Sequence, residues 1–131
     1  MKTNQPTVKL TRIINAPPQQ VLDPFQHECR LREWLCDGAR TRPGKGGLFE
    51  ARWNSGYEAR GVFTALKPPG TLAFTWLGTG EPGETQVRVT LKPVEGGTQL
   101  TLVHSGFGAG KKWAGRVEGF EREWNSALDN L

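Results

Sequence analysis

The chain has 131 residues, of which 36% are hydrophobic and 23% charged, and this balance predicts one soluble globular domain over residues 1–131. No apolar run approaches the roughly 18 residues that a bilayer span requires, so a membrane-spanning protein is excluded. The formal net charge is +4, but acidic residues lie among the basic ones, which argues against a nucleic-acid-binding protein.

The N-terminal third of the chain predicts one strand followed by two short helices. Residues 8–14 are rich in β-branched side chains, and Asn15 is placed to cap the helix that follows. Helices are expected over 18–25, where a proline near the end limits the length, and over 28–35. Residues 36–47 are rich in Gly, Pro and Arg and predict a loop with room for one short strand.

Residues 47–105 alternate apolar and polar side chains between Gly and Pro turns, which is typical of an antiparallel meander. Five strands fit this stretch. A three-residue hairpin loop at 54–56 pairs Glu50 with Arg60 on the water-facing side, and a tight turn at 68–69 keeps the apolar face continuous.

The register that follows arranges apolar side chains in three rows across the inner face of the sheet. The rows are Ala65, Leu72, Leu91 and Leu100, then Phe63, Phe74, Val89 and Leu102, then Phe49, Gly61, Trp76, Val87 and His104. The first two rows look closely packed. Beyond the third row the small residues Ala51 and Ala59 lie between Trp53 and Tyr57, so an apolar pocket is predicted at that end. The outer face, with Thr64, Thr75, Thr90 and Thr101, is expected to meet water.

The C-terminal segment changes to helical spacing. Its apolar residues recur at intervals of three and four: Trp113, Val117, Phe120, Trp124, Leu128 and Leu131. Such an amphipathic helix must cover apolar surface, and the inner face of the sheet is available. The predicted fold is therefore α+β, a curved antiparallel sheet wrapped around a long C-terminal helix.

Segments spread over nearly the whole chain carry a family resemblance. They are Ile14–Pro17, Trp34–Leu35, Gly44–Phe49, Lys67–Pro69, Leu72–Trp76, Val89–Leu91, Leu100–Phe107 and Gly119–Phe120. Together they resemble the START-like (SRPBCC, helix-grip) superfamily, in the branch similar to the C-terminal domain of the activator of the heat-shock-protein-90 ATPase. The chain departs from that branch at His27–Glu28, where Asp-Pro is common, and at Leu22, where Trp is frequent.

The resemblance implies about seven strands, two short helices after the first strand, and a first strand beside the strand of residues 100–104. It implies no single reaction, because this fold hosts lipid carriers, hormone receptors, cyclases and chaperone activators.

His104 is the candidate catalytic residue, because its side chain points into the predicted pocket and an imidazole titrates near neutrality. A structural histidine, bonded to its neighbours, is the favoured interpretation. Ser105 faces the opposite side of the strand, which argues against a Ser–His nucleophile pair. Glu81 and Glu84 lie in a Gly- and Pro-rich loop that is expected to be solvated rather than to hold an acid and a base in place.

Cys29 and Cys36 are expected to be free structural thiols rather than a disulfide or redox pair. Two Cys and two His residues form no recognisable ligand set, so neither a metal nor another cofactor is predicted. The basic residues cluster locally at Arg40, Arg42 and Lys45 and at Lys111, Lys112 and Arg116. No nucleic-acid-binding motif accompanies these clusters, which are read as solvated surface.

The favoured function is non-catalytic binding of a small hydrophobic molecule by a cytoplasmic, stress-related protein. The predicted pocket residues are Trp34, Phe49, Ala51, Trp53, Tyr57, Gly61, Phe63, Phe74, Trp76, His104, Trp113, Phe120 and Trp124. One alternative is an interaction module that activates a heat-shock-protein-90 type chaperone, as the family and the basic clusters suggest. The other is a polyketide cyclase-like or hydrolase-like enzyme that uses His104 and Tyr57 as acid and base.

Overall fold

The alternating segments of the sequence form one antiparallel sheet. The structure is a computed structural model that describes residues 7–108, 113 and 115–131. Its strands are β1 (Val8–Ile14), β2 (Gly38–Thr41), β3 (Leu48–Arg52), β4 (Glu58–Lys67), β5 (Thr71–Gly78), β6 (Thr85–Val94) and β7 (Gly97–Ser105). Its helices are α1 (Pro18–Gln26), α2 (Glu28–Trp34) and α3 (Arg116–Asp129).

The strands lie in the order β1-β7-β6-β5-β4-β3-β2, with β1 and β2 at the edges. β1 pairs with β7 and places Leu10 opposite Leu102, as the family resemblance implies. Within the described residues, seven strands and a C-terminal helix confirm the predicted α+β helix-grip fold. The five strands expected between residues 47 and 105 are all present.

Two of the predicted hairpin registers are confirmed. Across β3 and β4, Phe49 lies opposite Gly61 and Glu50 opposite Arg60, and the Glu50 carboxylate accepts a 3.0 Å bond from the Arg60 guanidinium. Across β6 and β7, Val87 lies opposite His104. These hairpins have short loops, so counting back from the turn gives the register directly.

The predicted register of β5 against β6 is wrong by two residues. Trp76 lies opposite Thr85 rather than Val87, and Phe74 lies opposite Val87. A slip of two residues keeps every side chain on its original face, so alternation cannot detect it. As a result, His104 shares a row with Phe74 and Val87 rather than with Trp76.

A bulge in β4 also alters the first predicted row. The register shifts between Phe63 and Ala65, so Ala65 lies opposite Ala73 rather than Leu72. Nearby, Thr75 is buried rather than water-facing, and its hydroxyl accepts the backbone N–H of Val62 at 2.9 Å. Bulges of this kind increase local twist and bend a strand, which is what a sheet needs in order to curve around a helix.

The helix boundaries differ from prediction at their ends. α1 begins after Pro17, which occupies the cap position without a side-chain bond, so Asn15 is not the cap. α1 continues through Pro24 to Gln26. α2 ends one residue earlier than predicted, at Trp34.

α3 begins later than the apolar spacing predicts. Gly115 adopts a left-handed φ of 80° directly before the helix, so Trp113 lies outside it. The buried face of α3 carries Trp124 and Leu128. No helix in the described part of the chain is long and apolar enough to cross a membrane.

One half of the sheet's inner face is filled by phenylalanine rings. Phe49, Phe63 and Phe74 are each at most 1% exposed. Phe49 stacks on Phe74 with ring centroids 4.1 Å apart, and Phe63 meets both rings edge-on. We refer to these three rings as the phenylalanine core.

Candidate functional site

A cleft opens between α3 and the hairpin that joins β3 to β4. Its volume is about 490 Å³, within the range of pockets that hold small organic ligands. Its walls are the rings of Trp34, Trp53, Tyr57, Trp76, Phe120 and Trp124. The other lining residues are Leu35, Ser55, Glu81, Arg116, Gly119, Glu123, Ser126, Ala127 and Asn130. We call this region the aromatic cleft.

Each indole N–H in the wall of the aromatic cleft is bonded to another protein group. The bonds run from Trp34 to the Pro24 carbonyl (2.9 Å), from Trp53 to the Leu35 carbonyl (2.8 Å), from Trp76 to the Tyr57 hydroxyl (2.9 Å) and from Trp124 to His104 Nδ1 (3.0 Å). Because the polar atom of each indole is satisfied, the tryptophans offer a ligand only ring carbon.

His104 is held by two bonds behind the cleft wall. Trp124 donates to Nδ1, so the ring proton sits on Nε2, which donates to the Thr85 hydroxyl at 2.7 Å. Thr85 in turn donates to the Trp76 carbonyl at 3.1 Å. The histidine ring therefore links α3 to β5 through β6 as a neutral hydrogen-bonding group.

The surroundings of His104 argue against acid–base chemistry there. Its side chain is 0% exposed, and burial lowers its pKa from 6.5 to about 3. An imidazole that stays neutral and has both nitrogens occupied has no lone pair or proton left for a substrate. This agrees with the structural interpretation that the sequence favoured.

The aromatic cleft has a polar end at the loop between β5 and β6. The Tyr57 hydroxyl donates to one oxygen of Glu81, and the other oxygen accepts the Gly78 N–H at 2.9 Å. Arg116 donates to the Gly80 carbonyl of the same loop at 3.0 Å. Burial, assisted by the bond to Glu81, raises the pKa of Tyr57, so the phenol remains a proton donor.

Six of the thirteen predicted pocket residues line the cleft, namely Trp34, Trp53, Tyr57, Trp76, Phe120 and Trp124. The phenylalanine core, Ala51 and His104 are buried beside it and do not line it. Trp113 is buried against Phe107, with ring centroids 5.5 Å apart.

The space predicted beside Gly61 is not open. A Cβ at this position would lie 2.0 Å from the Thr75 carbonyl oxygen. The glycine is therefore required because two backbones approach closely, rather than because a ligand sits over it.

Sequence reasoning missed Glu81, which was assigned to a solvated loop. The loop between β5 and β6 is fixed in place because one oxygen of Glu81 accepts from the Tyr57 hydroxyl and the other from the Gly78 N–H. The available signal was the short Gly-rich spacing from Gly78 to Glu81, which lets a carboxylate reach back to its own turn. Glu123 and Gly119, on the cleft side of α3, were missed because their spacing matches the polar side of the helix pattern.

The cysteines are free, as predicted, with Cys29 exposed and Cys36 buried. Burial raises the pKa of the Cys36 thiol to about 11, so it stays protonated at neutral pH. Within the described residues, no group of three or more His, Cys, Asp or Glu side chains could hold a metal ion. Of the two basic clusters, Lys111 and Lys112 lie outside the described residues.

The chain matches one family model over most of its length. The family is described as Activator of Hsp90 ATPase homolog 1-like protein, and the match covers residues 15–131. No curated protein matches the chain.

Solved structures similar to the chain include three bacterial or protozoan proteins. A Mesorhizobium loti protein is 26% identical, with a TM-score of 0.85 over 95% of this chain and 92% of its own. An HSP90 activator from Plasmodium falciparum is 24% identical, with a TM-score of 0.81 over 95% and 92%. CalU16 from Micromonospora echinospora is 23% identical, with a TM-score of 0.79 over 95% and 73%. The last two likenesses show a shared fold.

Proposed function

The chain belongs to the family of Activator of Hsp90 ATPase homolog 1-like proteins, and within that family we propose that it binds a small hydrophobic molecule in the aromatic cleft without transforming it. The observation that carries the proposal is the combination of a cavity of about 490 Å³ with tryptophan walls whose N–H groups are already bonded. An apolar ligand in contact with these walls removes hydrocarbon surface from water, which is favourable. The ligand needs no hydrogen-bonding group, because the indole N–H groups already have partners.

The position of His104 supports the non-catalytic part of the proposal. A buried, neutral imidazole with two protein partners is a structural element of the wall rather than a proton carrier. Tyr57 is likewise committed to Glu81 and Trp76. A ligand recovered after incubation with the protein is therefore expected to have an unchanged mass.

Gly119 offers the means to block the cleft without disturbing the core. It lines the cleft from the first turn of α3, and the nearest atom to a Cβ placed there is the Arg122 guanidinium at 3.9 Å. A leucine side chain can therefore extend into the cavity, whereas an alanine occupies little of it. A leucine at Gly61 would instead collide with the backbone carbonyl of Thr75.

The experiment titrates an apolar fluorescent probe, N-phenyl-1-naphthylamine, into the protein and its two Gly119 variants. We expect saturable binding to the wild type and to Gly119→Ala, and at least tenfold weaker binding to Gly119→Leu, because its side chain takes the ligand's volume. Circular dichroism checks that both variants fold. Equal affinity for the wild type and Gly119→Leu would reject the cleft as the binding site.

A second candidate function is activation of a chaperone ATPase through a protein interface. The family description favours it, and the exposed basic residues Arg40 and Lys45 offer a charged surface for an acidic partner. The test measures the ATPase rate of the cell's own heat-shock-protein-90 chaperone with and without the protein. No stimulation at saturating protein would reject this candidate. The stress-related role and cytoplasmic location that were expected for the ligand-binding protein stay predictions.

A further inference from the structure

The charges that line the aromatic cleft have the opposite sign to the charge of the whole chain. The chain carries a net charge of +4. The described lining residues contribute two carboxylates, Glu81 and Glu123, against one guanidinium, Arg116. The described lining of the cleft thus carries a net negative charge on a chain that is basic overall, and this contrast favours a positively charged ligand group.

The aromatic walls favour the same sign. The face of an aromatic ring attracts cations, and its edge, above all an indole N–H, repels them. In the cleft the N–H edges of Trp34, Trp53, Trp76 and Trp124 are each directed into a bond with the protein. These bonds keep the N–H groups away from a ligand, and a tryptophan face that meets the ligand attracts an alkylated ammonium group.

Among the described lining residues, the positive charge of Arg116 lies beside the loop between β5 and β6. Arg116 donates to the Gly80 carbonyl at 3.0 Å, next to Glu81 on the same loop. Two neighbouring opposite charges largely cancel at a distance. Glu123, on the exposed side of the cleft wall, then gives the lining its excess negative charge.

We propose that the ligand of the aromatic cleft is an organic cation, a hydrophobic body carrying an alkylated ammonium group, and that anionic amphiphiles such as fatty acids are rejected. This inference rests on the proposed binding function and specifies its ligand class. The ammonium group contacts tryptophan ring carbon in the field of Glu123, while the apolar body fills the rest of the cavity.

Three probes of nearly the same shape separate charge from hydrophobicity. They are (1-naphthylmethyl)trimethylammonium, its neutral carbon isostere 1-neopentylnaphthalene, and the anionic 1-naphthylmethanesulfonate. Equilibrium dialysis with each probe at low ionic strength gives its affinity directly from naphthalene absorbance. We expect the cation to bind on the order of tenfold more tightly than the neutral isostere, and the sulfonate to bind most weakly.

A pair of charge variants on α3 locates the preference. Glu123→Gln removes a carboxylate from the cleft lining, and Glu121→Gln removes one from an exposed position on the same helix that does not line it. We expect Glu123→Gln to lower the affinity for the cation roughly two- to threefold and to leave the affinity for the neutral isostere unchanged. Glu121→Gln should change neither.

The outcomes separate this inference from the proposed function. If none of the three probes binds, the proposed function fails and the inference fails with it. If the neutral isostere or the sulfonate binds as tightly as the cation, hydrophobic binding stands and the cation preference is rejected. Equal losses of cation affinity in Glu123→Gln and Glu121→Gln would also overturn it, because the attraction would then come from the whole surface.

Discussion

The phenylalanine core and the aromatic cleft are built from the same class of side chain but are held in different ways. In the core, rings are held by other rings, as where Phe49 stacks on Phe74 at 4.1 Å. In the cleft, each tryptophan is anchored by one hydrogen bond from its N–H, such as that of Trp53 to the Leu35 carbonyl at 2.8 Å. Trp76 is only 3% exposed and also packs against Trp124, with ring centroids 5.5 Å apart, so in the cleft the hydrogen bonds come in addition to ring packing.

The hydrogen bonds of the indole N–H groups explain how the fold keeps this cavity open. An apolar ring that is not packed tends to collapse onto its neighbours, because burial of its surface is favourable. A directed bond resists that collapse, because rotating the ring inward would leave a polar atom unsatisfied. The bonds of Trp53 and Trp124 therefore act as struts on opposite walls of the cleft.

The largest expected effect compares truncation of one ring in each region. Phe74→Ala should lower the free energy of unfolding by about 3–5 kcal/mol, because Phe74 is 1% exposed and its removal leaves a void in the core. Phe120→Ala, in the half-buried cleft wall, should cost only about 1–2 kcal/mol. Urea denaturation followed by far-UV circular dichroism measures both. Equal costs would mean that the cleft is packed like the core.

The second prediction concerns pH and the histidine between the two regions. The folded pKa of His104, about 3, lies below its ordinary value of 6.5, so the unfolded chain binds the extra proton first. Stability is therefore complete above pH 6.5 and is lost as the pH falls toward 3. This one group should remove about 2 kcal/mol between pH 7 and pH 5.

Nuclear magnetic resonance provides a direct check on His104 that needs no variant. Its ring signals should show the neutral tautomer with the proton on Nε2, and they should not titrate between pH 5 and pH 8. A midpoint near 6.5 for this ring would contradict the buried arrangement with Trp124 and Thr85.

The sequence predicted which residues share a face of the sheet better than which of them line the cleft, because Phe49, Phe63 and Phe74 were expected in the pocket and instead form the phenylalanine core. Core positions follow from alternation, so Phe63 opposite Phe74 was found correctly. The two-residue slip of β6 escaped detection because faces are preserved, and it wrongly placed His104 in the row of Trp76. Alternation determines which face of the sheet a residue lies on. The register, that is, which residue lies opposite it on the next strand, depends on the length of the connecting loop.

The cleft depends on long-range bonds that no local pattern encodes. The bond from Trp34 to Pro24 joins two helices, and the contact of Tyr57 with Glu81 spans 24 residues. Aromatic content pointed to Trp53 and Trp76 as neighbours of a pocket, and both side chains line the cleft. Composition could not reveal that Gly61 is fixed by Thr75 rather than by empty space.

The third prediction tests the hydrogen bonds of the Tyr57 hydroxyl at the polar end of the cleft. Tyr57→Phe removes the hydroxyl that accepts from Trp76 and donates to Glu81, and it should lower the free energy of unfolding by about 1 kcal/mol. Thr90→Val, which removes an exposed hydroxyl from the outer face of β6, is the matched control and should change stability little. Urea denaturation distinguishes the two. No loss in Tyr57→Phe would show that the wall stands without this bond.

The smallest expected effect makes the same change, glycine to alanine, in each region. Gly119→Ala should raise the free energy of unfolding by about 0.5–1 kcal/mol, because alanine favours the helix and its Cβ comes no closer than 3.9 Å to the Arg122 guanidinium. Gly61→Ala should destabilise instead, since its Cβ would lie 2.0 Å from the Thr75 carbonyl. Thermal unfolding of the two variants shows whether each substitution stabilises or destabilises the protein. A destabilised Gly119→Ala would mean that the wall of the cleft at α3 is as tightly packed as the sheet at Gly61, and the cavity could not then be a property of the folded chain.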